Sequence, residues 1–211
     1  MKSFENLEKG FRMSKKLNWD RAYADYYQTK AYLKQYSSEH DLAHIYLDSA
    51  ISYFNKAAKT ATTKKDTDDI KLGIATCLSS KADILLKRGR GAEAIEVYLA
   101  ALEAWKSSDQ PHKVEAIAIY YTRISTTYYE LKQYEKALEY DKLSLETFLT
   151  TNNEESIIWA YLYVSDDFNR LKRIDSGLFY LQKAAPMVKR LNNHRINASY
   201  YGKLGHISTL K

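Results

Sequence analysis

The sequence is short of chain breakers. Glycine occurs 7 times and proline 2 times in 211 residues, far below the roughly 12% that the two supply in an average chain. A loop-rich β-sandwich, a collagen-like chain and a disordered linker all need more, and are excluded. Cysteine occurs once, as Cys77, which excludes an internal disulfide and a thiolate zinc cluster. No apolar run reaches the about 18 residues that a membrane span needs. The opening MKSFENLEKGFRMSKKLNWD has no apolar core of a secretory signal. A cytoplasmic chain is expected on that basis, or a periplasmic one if this is an excised piece of a sensor. Acidic residues stop at Asp175. Beyond it Lys183, Lys189, Arg190, Arg195, Lys203 and Lys211 carry the excess behind the net charge of +6. These cations are spaced rather than clustered, which argues against a nucleic-acid partner.

What is present in excess is tyrosine, 19 residues, together with helical spacing. Tyrosine buries a large ring and keeps a polar tip, so it suits packed faces that reach water. In and just before 81–102, KADILLKRGRGAEAIEVYLAAL, apolar or small residues fall at Leu78, Ala82 and Leu85, then at Ala94, Tyr98, Ala101 and Leu102. Both sets have spacings of three and four, and Gly89 and Gly91 between them end one helix and turn into the next. The pattern returns after about 40 residues with Tyr121, Ser125, Tyr128, Ala137, Ser144 and Leu145. It returns again with Tyr161, Ser165, Phe168, Gly177, Leu181 and Ala184, and starts once more at Tyr201, Leu204 and Gly205. Two helices per unit at such a period mark a helical solenoid. Helices are predicted at 5–17, 20–36, 41–61, 68–88, 92–106, 112–131, 134–150, 154–171, 175–191 and 194–211. Thr67-Asp68-Asp69 reads as one helix start, Asn152 with Glu155 as a capping box, and Asp109-Gln110-Pro111 as a break. Pro186 falls well inside 175–191, where it predicts a kink or an early end near 183–186.

Ala82, Leu85, Gly89, Ala94, Tyr98 and Ala101 resemble the tetratricopeptide repeat (TPR) family. Tyr128, Tyr134 and Ala137 fit the next unit, and Phe168, Gly177 and Ala184 the one after. The resemblance covers roughly 20–211, with a period longer than the family's 34. It implies an all-α, right-handed α-α superhelix, a TPR-like solenoid of antiparallel helix pairs forming a single domain. Its parts are a partial repeat at 5–17, a divergent repeat at 20–61, repeats at 68–106, 112–150 and 154–191, and an unfinished repeat at 194–211. The incomplete ends imply a segment of a larger protein. The open C-terminal stripe of Ile196, Tyr200, Leu204 and Ile207 is expected to seek a partner, in the simplest case a second copy.

In the family the first helices line a concave groove. Residue by residue, that places Thr76, Ser79, Asp83 and Lys87 there in one repeat. The next contributes Ile119, Thr122, Thr126, Tyr129 and Glu130, and the third Trp159, Leu162, Asp166, Asn169 and Arg170. His206 follows in the unfinished unit. This mixed set fits a peptide or protein segment, with Trp159 and Tyr129 as anchors, and lacks the lysine–asparagine pattern that clamps a C-terminal carboxylate. The expected function is a non-catalytic protein- or peptide-binding scaffold within a bacterial regulatory or signalling protein. A peptide-sensing domain of a transcriptional regulator is the alternative. A helical metal-dependent hydrolase is a weaker third. His40 and His44 share a helical face as in H-E-x-x-H, but no third ligand stands at a telling spacing. Asp166 and Asp167 diverge by about 100° on a helix, one expected in the groove and one in solvent. Cys77, among apolar neighbours, reads as core rather than nucleophile. No phosphate loop, serine elbow or dinucleotide fingerprint occurs, and no cofactor or metal is expected.

Overall fold

A computed structural model describes residues 8–10, 12 and 19–210. The partial repeat expected at 5–17 lies largely outside them. The described helices are α1 Asp20–Tyr36, α2 His40–Ala58, α3 Lys64–Lys87, α4 Gly91–Lys106, α5 Lys113–Glu130, α6 Tyr134–Phe148, α7 Glu154–Arg170, α8 Ile174–Leu191 and α9 His194–Leu210. They gather into two compact units, residues 1–110 and 111–211. Among the described residues there is no helix long and apolar enough to cross a membrane.

Each helix pair closes with the same turn. Ser38, Gly89, Lys132 and Lys172 all take positive φ, 60°, 74°, 59° and 58°. The next residue in each case donates its N–H back across the turn, as Arg90 does to the Leu85 carbonyl at 2.9 Å and Arg173 to Phe168 at 2.8 Å. This is the Schellman ending, which satisfies carbonyls that the last helical turn leaves open. Glycine at position 89 was legible in the sequence. The lysines at 132 and 172 hold the same left-handed geometry at a cost of about 1 kcal/mol each.

In the first unit α1 packs on α2, α2 on α3 and α3 on α4. Ala24, Ala31, Ala43, Leu47, Ala50, Phe54 and Ile70 build its core. Ala82 and Ala94 are fully buried, as close packing of α3 on α4 requires. α3 begins four residues before the sequence placed it. The Thr63 hydroxyl caps it by accepting from the Asp66 N–H at 3.0 Å, so Asp68 and Asp69 lie inside the helix rather than at its start. They instead hold the loop after α4: Asp68 accepts from the Asp109 N–H at 3.4 Å and Asp69 from the Gln110 amide at 2.8 Å.

The second unit repeats one tyrosine arrangement. Tyr128 stacks on Tyr140 at 5.5 Å with Tyr121 beside it, and Phe168 stacks on Tyr180 at 5.4 Å with Tyr161 beside it. These rings glue α5 to α6 and α7 to α8. Serines at the small positions bond inward: Ser144 donates to the Ala118 carbonyl at 3.0 Å and Ser165 to Gly177 at 2.9 Å. The cap of α7 is Asn153, not Asn152; its side chain accepts from the Ser156 N–H at 3.1 Å, and no reciprocal carboxylate closes a box. α8 runs unbroken from Ile174 to Leu191 with Pro186 inside it, so the expected early end does not occur. The last apolar stripe is not open either. Ile196, Tyr200 and Ile207 are buried against Ile158, Leu162, Leu181 and Val188 of α7 and α8. Two helices supply the cover that the sequence assigned to one, which removes the premise of self-association through this stripe.

Candidate functional site

The residues expected to form one groove fall into two groups. In the first unit Thr76 and Lys87 are exposed on α3, but Ser79 is buried and Asp83 accepts the Tyr98 hydroxyl proton. Asp83 thus ties α3 to α4 and Ser79 is closed off from a ligand by burial, a correction to the groove assignment. In the second unit Ile119, Thr126 and Glu130 are exposed along α5, while the Thr122 hydroxyl is spent on Ser144 at 2.8 Å. Leu162 is fully buried and cannot meet a ligand, because α9 covers that side of α7.

Trp159 is half-buried where α9 crosses α7. The Arg195 guanidinium sits 5.1 Å over its ring and Tyr163 stacks on it at 6.2 Å. One face of the indole is therefore already engaged. Its ring N–H is buried without a partner.

The remaining residues converge. Tyr129 from α5, Asp166, Asn169 and Arg170 from α7 and His206 from α9 line one cavity of about 510 Å³, together with Lys172 of the following turn and Ile174 at the start of α8. Its walls are held in place. The Arg170 Nε donates to the Tyr129 hydroxyl at 2.6 Å, and the guanidinium stands 5.6 Å over that ring. Asp166 is ion-paired with Lys203 of α9. Asn169 lies against Gly177, where a Cβ would come within 2.3 Å of its side-chain oxygen; only glycine admits the amide there. Lys172, Ile174 and Lys203 were missed by the sequence reading. The turn shared with Gly89 was the available signal for Lys172.

Behind the cavity wall lies a feature the sequence did not disclose. Asp167 does not point to solvent. It is 1% exposed, and Asp141 from α6 is 5% exposed. The two carboxyls hydrogen-bond to each other, and the Ser125 hydroxyl joins Asp141. Burial pushes Asp141 up to about 7. Burial and the neighbouring Asp141 push Asp167 up to about 9. Two carboxylates cannot both ionise in so dry a place, so the pair shares a proton. The neutral Asp167 donates to the Asp141 carboxylate.

The other candidates reduce to structure. Burial raises the Cys77 thiol to about 12, far from the reactive range. Burial, with Lys81 next, holds His44 below its ordinary value, and its Nε2 stands 3.6 Å from Asp48. Among the described residues no group of three His, Cys, Asp or Glu side chains could hold a metal.

The tetratricopeptide repeat family matches residues 73–150. No curated protein matches the sequence significantly. Among solved structures, the apo form of RapI superposes with a TM-score of 0.71 at 18% identity, covering 95% of this chain and 75% of that one. A Rap protein complexed with Competence and Sporulation Factor gives 0.62 at 14% identity, over 92% and 51%. A signal transduction ATPase with a tetratricopeptide repeat sensor from Pyrococcus horikoshii gives 0.75 at 20% identity, covering 100% of this chain and 30% of that one. Identities this low speak for the fold alone. Repeats in phase, shared turns and these superpositions agree: residues 73–150 match the tetratricopeptide repeat family, and the chain has an all-α, tetratricopeptide-repeat-like fold.

Proposed function

We propose that this chain is a non-catalytic binding module that holds a peptide or protein segment on the face of its second unit formed by α5, α7 and α9. The observation that supports it most is the cavity where Tyr129, Asp166, Asn169, Arg170 and His206 meet from three separate helices. Its side chains are fixed before any partner arrives: Arg170 by Tyr129, Asp166 by Lys203. Preorganisation of that kind reduces the ordering cost of binding. Trp159, Tyr163 and the exposed Ile119 extend the face with apolar area. The similar Rap protein is seen complexed with Competence and Sporulation Factor, and the similar ATPase uses its repeats as a sensor. Both favour a role in signalling, within a larger regulatory protein, in which the repeats receive a partner.

The test is a pull-down from the source cell with the full chain, comparing wild type with Trp159→Ala combined with Arg170→Ala. Partner recovery is expected to fall while far-ultraviolet circular dichroism stays unchanged. Unchanged recovery with collapsed thermal stability would show that these residues serve the core alone.

A further inference from the structure

We propose that the segment bound at this cavity is acidic, engaged through an aspartate or glutamate side chain by Arg170 and Lys172. The inference rests on the binding face proposed above and names the chemistry of its ligand. The charges of the wall decide it. Asp166 is the one carboxylate among the lining residues, and Lys203 neutralises it. The Asp141–Asp167 pair behind the wall holds a shared proton, so it contributes one negative charge rather than two. Arg195, farther along the same face, is balanced by Glu155 at 3.6 Å. That leaves Arg170 and Lys172 without an ion pair of their own among the described residues: Asp166 is felt by Arg170 through space, but its carboxylate is paired with Lys203.

The geometry of Arg170 sharpens the choice. Tyr129 takes its Nε and holds the guanidinium carbon 5.6 Å from the ring centre. The two terminal nitrogens remain for a carboxylate, which they meet in a bidentate fork. Lys172 is exposed in the turn and adds a second cation beside the fork. A cavity of about 510 Å³ admits a side chain and its flanking backbone, in the range of ordinary ligand sites.

The experiment probes the full chain with an array of random-sequence peptides blocked at both ends. Each is synthesised twice, once with Asp and Glu and once with Asn and Gln in their place. The acidic member of each binding pair is expected to bind about tenfold more tightly, the scale of a charge-assisted bidentate contact. Arg170→Gln is expected to abolish that preference and Lys172→Gln to halve it. Added salt should weaken it, since Lys172 is exposed. Equal binding of both members, or an acidic preference untouched by both substitutions, overturns the proposal. A neutral peptide with a free C-terminus that binds as well as the acidic blocked one overturns the choice of a side-chain carboxylate. The His206 imidazole resonances separate the two levels. Neutral peptides that shift them as strongly as acidic ones leave the binding face standing and remove only the charge preference. Peptides of neither kind shifting them removes both.

Discussion

Replacing Asp167 by asparagine tests whether a proton is stored in the second unit. An asparagine amide in the same place can donate to the Asp141 carboxylate, so the hydrogen bond survives and the titration does not. In the wild type the folded state keeps a proton that the unfolded chain, with carboxyls near their ordinary 3.8, has released. Stability from this pair is therefore full at low pH and is lost as pH rises through the folded values, about 7 and then about 9. Each proton so held gives a slope of about 1.4 kcal/mol per pH unit. Between pH 7 and 8 Asp141 passes from half to mostly ionised in both chains, while Asp167 stays protonated in the wild type alone, so one slope operates in the difference. The wild type should lose about 1.4 kcal/mol relative to Asp167→Asn over that unit. All other titrations cancel in the difference, because both chains share them. Trp159 is the one tryptophan of the second unit, so urea unfolding followed by its fluorescence, with Trp19 and Trp105 changed to phenylalanine, reads the right unit. A difference in stability that stays constant from pH 6 to pH 9 would refute the shared proton and leave Asp167 an ordinary buried polar group.

Three further outcomes follow from the turns and the helix interiors. Lys132→Gly should stabilise the second unit by about 0.5–1 kcal/mol in chemical unfolding, since glycine takes the left-handed turn without the Cβ strain. Gly177→Ala should destabilise by about 1–3 kcal/mol, because its methyl would drive into the Asn169 amide; the same change should broaden the His206 resonances by disturbing the cavity wall. Pro186→Ala should raise the melting temperature, since it restores a backbone donor inside α8 and removes an interior proline that costs up to about 3 kcal/mol in a regular helix.

Local signals carried the architecture. The three-and-four spacing, the glycines at 89 and 91 and the recurrence after about 40 residues placed nearly every helix, because helix formation and turn closure depend on neighbours in sequence. The second unit's candidate residues were legible for the same reason: one face of each first helix is fixed by its register. Tertiary packing decided the rest. It chose Thr63 over Thr67 as a cap, since Asp68 and Asp69 were needed to hold the loop at 109–110. It buried Leu162 and the stripe of Ile196, Tyr200 and Ile207, because α9 meets two helices and the sequence showed only one. It turned Asp167 away from solvent toward Asp141, a pairing of residues 26 positions apart that no local pattern announces. Periodicity tells which side of a helix a residue occupies; only the neighbouring helix determines whether that side is water, a cavity or a second carboxyl.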